Sequence, residues 1–514
     1  RLVDAKPFER DQAPSPILKA IAPGVHHELR IRQPAVREGW LKGRDRNRGE
    51  GRFVEVTWEA ALDLVAAELD RVKSEHGNEA IFAGSYGWSS AGRFHHAKTQ
   101  MQRFMNCIGG FTGQKHNYSL AAGLAILPHI VGNHDPLRSP TSWQAIEAAT
   151  ELFVAFGGVG TRNAQVEPGG MVEHSALGWL ERLANKGVKL VSSTPLRHDT
   201  PAFMDAEWWS PRPNTDVALM MGLAHTLVAD GLHDRDFLAR YTTGFERFEA
   251  YLMGRSDGTV KSADWAAGIT GLEAEAIRTL AREMAAKRTM IATSYSLQRG
   301  DHGEQAFWMT AVLASIVGQV GLPGGGFSFG YGSMHGQGNP LQTALPVTHS
   351  AGENPTGSFI PVARITDLLE KPGEIYDFDG ERRVYPDTRL IYWCGGNPFH
   401  HHQDLNRLLQ AWRRPETVIV NEPWWTPTAK LADIVLPATT TLERNDIGAS
   451  SRDRFVMAMK QAVEPVGGAR NDFDIFNALA GRMGVREAFS SGRDEMGWLR
   501  HLYDQACERV ADSG

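Results

Sequence analysis

Cysteine is scarce in this chain. There are three in 514 residues, Cys107, Cys394 and Cys507, far apart and none in a CxxC pair. That argues against a disulfide framework and against a cysteine-ligated iron–sulfur cluster, which ordinarily takes four thiolates. Each reads as a small buried apolar residue. No uninterrupted apolar run reaches the roughly 20 residues a membrane-spanning helix needs, so membrane insertion is not expected. There is no basic excess either: 54 Lys and Arg stand against 60 Asp and Glu, a net charge of -6, and the cations are scattered. A nucleic-acid partner, which calls for a clustered basic face, is not expected. No signal-peptide pattern follows Arg1. The expected compartment is the cytoplasm, or the periplasm if a twin-arginine leader precedes this sequence.

What is present is an ordinary globular composition, 42% hydrophobic and 22% charged. The length exceeds one hydrophobic core and predicts about two to four domains. Residues 1–55, rich in Pro, Arg and Gly, read as a loop-rich lead-in. Thr57 then offers an N-cap, and Trp58, Ala61, Leu62, Val65, Leu69 and Val72 recur at helical spacing to about His76. Short apolar runs ending in Gly or small polar residues follow one after another: 79–84, 151–157, 188–192, 289–293, 390–394, 417–421 and 433–437. Helical stretches at 99–107, 216–230 and 272–287 alternate with them. Strand–loop–helix order repeated this often predicts an α/β fold of two doubly wound, mainly parallel sheets covered on both faces. The expected division is a first α/β domain from 56–148 and 345–514, split in sequence, and a second from 149–344. The Gly-rich stretch from Gly321 to Pro340 reads as a surface connection between them.

Parallel sheets bind ligands beyond the carboxyl ends of their strands. The segments there are Ser85-Tyr-Gly-Trp-Ser-Ser90, Gly157-Gly-Val-Gly-Thr-Arg-Asn163, Ser193-Thr-Pro-Leu-Arg197, Ser294-Tyr-Ser-Leu-Gln-Arg299, Gly395-Gly-Asn-Pro-Phe-His-His401 and Asn421-Glu-Pro-Trp-Trp-Thr426. None is a P-loop. A nicotinamide-binding fingerprint fails at Asn163, where its third glycine is required. Six such loops together suit a large, extended, phosphate-bearing cofactor: small residues allow close backbone approach, amides and Arg hold phosphates, and Thr, Asn, His and carboxylates read a purine edge.

These segments, with Asn117-Tyr-Ser119, Pro213-Asn-Thr-Asp-Val-Ala-Leu219, Gly321-Leu-Pro-Gly-Gly-Gly-Phe327, Trp425-Thr-Pro-Thr-Ala429 and Ala432-Asp-Ile-Val-Leu-Pro437, resemble the dimethyl sulfoxide reductase family of molybdopterin enzymes. The likeness runs from about Ser15 to about Leu502. It is nearest to the subgroup of biotin sulfoxide, dimethyl sulfoxide and trimethylamine N-oxide reductases, which has no iron–sulfur cluster in the catalytic chain. The resemblance implies one molybdenum held by two molybdopterin guanine dinucleotides, whose dithiolene sulfurs are soft ligands. It also implies Ser119 as the protein's ligand to the metal. Read from its neighbours alone, Ser119 is equally a helix N-cap before Leu120-Ala-Ala. Tyr86 matches a tyrosine that hydrogen-bonds the transferring oxygen, and Trp88 a tryptophan of the same pocket. Tyr86 favours S-oxide over N-oxide substrates. The electron donor is left open between a redox protein, a cytochrome and a reduced nicotinamide.

Cofactor contacts carry over onto Gly87, Ser89 and Ser90 at a pterin or phosphate, and onto Arg162 and Asn163 at a pyrophosphate. Ser193, Thr194, Pro195, Asn214 and Asp216 would line a guanosine, and Ser296 and Arg299 stand at the metal end. Asn397, His401, Glu422 and Asp433 would serve the second dinucleotide. Members of the family continue into a C-terminal β-barrel, which is expected to be absent here. The expected function is therefore a bacterial molybdenum-dependent S-oxide reductase acting on biotin, methionine or dimethyl sulfoxide. Trimethylamine N-oxide reduction and a catalytically incomplete pterin-binding homologue stand as alternatives.

Overall fold

The computed structural model describes residues 4–88, 92–342 and 348–512. Two sheets organise the chain. The first contains β1 (Ala35–Arg37), β2 (Phe53–Glu55), β3 (Ile81–Gly84), β9 (Leu390–Cys394), β10 (Thr417–Glu422) and β11 (Ile434–Pro437), in the order β2-β1-β11-β10-β9-β3. The four long central strands run parallel; β1 joins β11 antiparallel and carries β2. The second sheet contains β4 (Leu152–Phe156), β5 (Lys189–Ser193), β6 (Glu207–Trp209), β7 (Thr289–Thr293) and β8 (Gly326–Phe329), all parallel, in the order β6-β5-β4-β7-β8. The strands β4, β7, β9 and β10 are buried at every position. That is why they read as continuous apolar runs rather than alternating ones.

Helices cover these faces for the reason their spacing suggests. Helix α1 (Trp58–His76) starts where Thr57 accepts the amide of Ala60, and it buries Trp58, Ala61, Leu62, Val65, Leu69 and Val72 against the first sheet. Helices α2 (Ala97–Cys107) and α7 (Asp472–Arg482) share that core. Helices α4 (Asp216–Ala229), α5 (Ala274–Ala286) and α6 (Glu304–Val317) cover the second sheet. Helix α3 (Ala121–Val131) packs along α6, where a Cβ on Gly123 would stand 2.8 Å from the Phe307 ring.

Two expectations change. The lead-in is not wholly loop, because β1 and β2 belong to the first sheet; three-residue strands leave too short a period to read. The Gly-rich stretch is not a surface connection. It supplies β8, and Gly330, Tyr331, Gly332 and His335 to Asn339 are buried. Glycine is required there by close approach: a Cβ on Gly330 would run into the Tyr295 ring, and one on Gly338 would stand 2.5 Å from the Trp143 indole. Strand β6 was likewise hidden in the sequence by its length.

The N-terminal segment is fastened by charge. Asp433, fully buried, takes Arg37 Nη2 at 2.9 Å on one oxygen and Arg48 Nη2 at 2.6 Å on the other, and Val418 N donates to it at 2.9 Å. Arg48 also donates to the carbonyls of Trp412 and Pro415.

Candidate active site at the carboxyl ends of two sheets

All the long strands of both sheets deliver their following loops to one end. In the second sheet the order reverses at β4, since β5 lies on one side of it and β7 on the other. The carboxyl end at such a reversal is an open crevice. The loop Gly157-Gly158 leaves β4 there with both residues at positive φ, and a Cβ on Gly157 would meet Ser294, Ser296 and Leu297 from the loop after β7. In the first sheet Gly87 and Gly395 face each other closely, and a Cβ on Gly396 would stand 2.6 Å from Tyr86 Cβ.

The turn 117–120 lies between these two loop sets. Asn117 Oδ1 accepts the amides of Ser119 and Leu120, both at 2.9 Å. Ser119 is therefore not the cap of helix α3: the cap position is Leu120, which has no side-chain cap, and the Ser119 hydroxyl forms no hydrogen bond among the described residues. From the second sheet, Gln298 Nε2 and Arg299 Nε donate to the Tyr118 carbonyl at 3.0 and 3.1 Å. From the first, Tyr86 OH lies 3.4 Å from Tyr118 OH, with the rings edge-on at 5.5 Å. Tyr86 also packs edge-on against Trp393 and beside His401. Burial pushes the Tyr86 phenol well above its ordinary pKa, and contact with Tyr118 adds to the rise. It thus stays protonated and can donate a hydrogen bond. Tyr118 OH reaches His402 Nδ1 at 2.9 Å, and His402 Nε2 reaches Thr366 Oγ1 at 2.8 Å. Burial holds His402 down at about 4, so its imidazole is neutral, bridging Tyr118 and Thr366. Trp88 is exposed at the rim, 40% accessible.

Ser296 is exposed beside Ser294. Arg162 pairs with Asp199, which also accepts Thr194 Oγ1 at 2.9 Å. Ser193 is buried, and its hydroxyl has no partner among the described residues. Pro195, Asn163 and Asn214 are exposed, and Asn214 lies against Gly300. Asp216 opens α4, and burial raises its carboxyl to about 6. On the first sheet, Asn397 Oδ1 accepts Phe399 N at 3.2 Å and bonds Thr428 Oγ1. Exposed His401 bonds the Asn397 carbonyl at 3.3 Å. Ser89 and Ser90 lie outside the described residues. Asp433 is a correction: both its oxygens are taken by Arg37, Arg48 and Val418 N, so it holds the N-terminal segment and has no oxygen free for a nucleotide.

Four residues escaped the sequence reading. Gln298 lay inside a segment already singled out and His402 one residue beyond another, but their partners are distant in sequence. Asp199 sits two residues beyond a quoted loop. Arg93, after the β3 loop, is a desolvated guanidinium whose Nε is unpaired. Nearby Lys98, on α2, is pushed down by burial, with no counter-charge acting on it. The unpaired Arg93 Nε and, among the described residues, a Lys98 with no counter-charge fit a cofactor carrying phosphates.

Glu422, buried at the end of β10, gives a pH test. Burial lifts its carboxyl from 4.5 to about 7. The folded protein holds that proton where the unfolded chain has lost it. The contribution of this group to stability is therefore full below about 4.5, falls as pH rises towards 7, and is gone above. Glu422→Gln is expected to flatten this fall, read as urea midpoints at pH 5 and pH 8. An equal fall in the variant would refute the assignment.

The family described as molybdopterin oxidoreductase matches residues 30–482. A biotin sulfoxide reductase from Cereibacter sphaeroides is 52% identical over 506 residues, covering 98% of this chain and 68% of the relative. A dimethyl sulfoxide/trimethylamine N-oxide reductase from Rhodobacter capsulatus is 44% identical over 525 residues, covering 99% of this chain and 64% of the relative. The chain thus spans about two thirds of the length of these relatives. Acetylene hydratase from Pelobacter acetylenicus shares the fold, with a TM-score of 0.62 at 21% identity over 92% of this chain and 64% of that one. Loops of both sheets meeting at the Tyr118 turn, and a family match over residues 30–482 with relatives 44% and 52% identical, place the chain in the molybdopterin oxidoreductase family.

Proposed function

We propose that this chain is the cofactor-binding part of a molybdenum-dependent reductase that removes an oxygen atom from a small S-oxide, with Ser119 as the protein ligand to the metal. In the overall reaction one sulfoxide, two electrons and two protons give one sulfide and one water. The sulfur–oxygen bond breaks, and the oxygen leaves as that water. The observation that carries this reading is the meeting of Tyr86 with Tyr118, one residue before an uncommitted serine, where loops of both sheets converge. The names of the relatives, biotin sulfoxide and dimethyl sulfoxide/trimethylamine N-oxide reductases, support the substrate class.

The molybdenum–pterin group, when bound, supplies the two-electron redox change. We assign it as two guanine dinucleotides, without an iron–sulfur cluster. Ser193, Thr194, Asp216 and Arg162 would hold one nucleotide, and Asn397, His401 and Glu422 the other. Arg93 and Lys98 would supply positive charge to the phosphates. Tyr86, kept protonated by burial, donates to the substrate oxygen as charge gathers on it. Tyr118 holds the phenol in place before substrate arrives, and neutral His402 holds Tyr118. Trp88 closes the rim over an apolar substituent.

The test uses the full-length protein from a host that makes the cofactor. Metal analysis should find molybdenum, and a reduced viologen dye should be oxidised by dimethyl, methionine and biotin sulfoxides faster than by trimethylamine N-oxide. Protein without molybdenum would end the proposal. Tyr86→Phe is expected to lower kcat/KM for dimethyl sulfoxide by about tenfold to a thousandfold at unchanged molybdenum content, with a smaller loss on trimethylamine N-oxide. Equal losses on both would remove the phenol from S-oxide selectivity.

A further inference from the structure

The turn that carries Ser119 is gripped from the opposite sheet. Gln298 lies in the single-turn helix Tyr295–Arg299 that follows β7. Its Oε1 accepts the amide of Ala122 at 2.7 Å, and its Nε2 donates to the carbonyl of Tyr118 at 3.0 Å. The two contacts bracket Ser119. Only the oxygen can face an N–H and only the NH2 can face a carbonyl, so the side-chain amide is fixed at both ends. Ala122 belongs to the first turn of α3, whose amides have no carbonyl of their own helix to bond. Asn117 satisfies the amides of Ser119 and Leu120 before it. Beyond the turn, Gly123 seats α3 directly on Phe307. The far flank is therefore held by packing, and the near flank by Gln298 and Arg299.

We propose that Gln298 is a positioning residue that sets the direction in which the Ser119 hydroxyl points, by pinning the peptide groups on either side of it. This rests on the reading of Ser119 as metal ligand. A ligand atom on a turn swings with the soft backbone torsions around it, and a group misplaced by about 1 Å at a reacting centre costs on the order of a hundredfold in rate. The Gln298 clamp removes that freedom without touching the hydroxyl.

Gln298→Ala and Gln298→Glu test this in the full-length protein, cofactor-loaded and cofactor-free. In Gln298→Ala, deuterium exchange of the amides in 118–123 should quicken about tenfold in both states. Molybdenum content should hold, the Mo(V) electron paramagnetic resonance signal should broaden, and kcat should fall about tenfold or more with KM within about threefold. Gln298→Glu keeps the acceptor for Ala122 and should recover its protection, along with part of kcat. Unchanged exchange over 118–123 in Gln298→Ala overturns this proposal alone. Loss of activity only in step with loss of metal also overturns it. Ser119→Ala with a wild-type Mo(V) signal overturns the metal-ligand reading and the proposal with it.

Discussion

Ser119→Ala should abolish oxygen-atom transfer, with kcat down by at least about a thousandfold, while thermal midpoint and circular dichroism stay at their wild-type values. A metal-bound group gives an effect of that size because its loss changes the reacting centre itself, not a contact to it. The fold should not notice. The serine side chain caps nothing, its neighbours' amides are satisfied by Asn117, and its hydroxyl forms no bond among the described residues. A cap lost in the ordinary way would cost about 1 kcal/mol and leave activity nearly intact. The two readings therefore separate on one variant: loss of turnover at constant stability supports the ligand, and loss of stability at constant turnover supports the cap. X-ray absorption of the loaded wild-type protein should find one oxygen scatterer that the variant lacks.

The second large effect falls on stability. Asp433→Asn should cost about 3–5 kcal/mol of unfolding free energy, read as a lower urea midpoint in the cofactor-free protein. Its carboxylate answers two buried guanidiniums, Arg37 and Arg48, and one backbone amide. An amide in its place leaves Arg48 without a counter-charge and Arg37 with only the partly exposed Asp45. The penalty arises from that uncompensated burial rather than from the bond count. A loss below about 1 kcal/mol would mean that water reaches the triad. Binding of the cofactor by the folded variant should be unchanged, which is the opposite of what a nucleotide contact at this position would give.

The central strands were legible because burial on both faces leaves an apolar run with glycine at its end, as in 390–395 and 151–157. The long helices were legible through their spacing, α1 above all. Strands of three residues, β1, β2 and β6, carry too few positions to show any period. The stretch from Gly326 to Asn339 misled because glycine marks close packing as well as exposed turns, and only the neighbours, Tyr295 and Trp143, tell the two apart. Within the candidate site, Tyr86, Ser119 and the loop residues were proposed from local segments. Gln298, His402 and Asp199 act through partners far away in sequence, and no local pattern announces a pairing across 180 residues such as that of Tyr118 with Gln298. Asp433 looked like a ligand residue for the same reason: a polar residue at a strand start is ambiguous until its partners at positions 37 and 48 are known.

The first sheet is stitched from two distant stretches, 35–84 and 390–437, while every strand of the second falls within 152–329. On the ribosome this fixes an order of events. The inner unit has all its strands once residue 329 has emerged, and it can fold while the rest is still being made. Strand β3 must wait another sixty residues or more for β9, and the β1–β2 pair must wait longer still for β11. The Ser119 turn precedes the inner unit in sequence, and Gln298 lies within that unit, so both are made before β9 and β10 exist. The nascent cradle is therefore half-built, open on the side of the late strands, until residue 437 has left the exit tunnel.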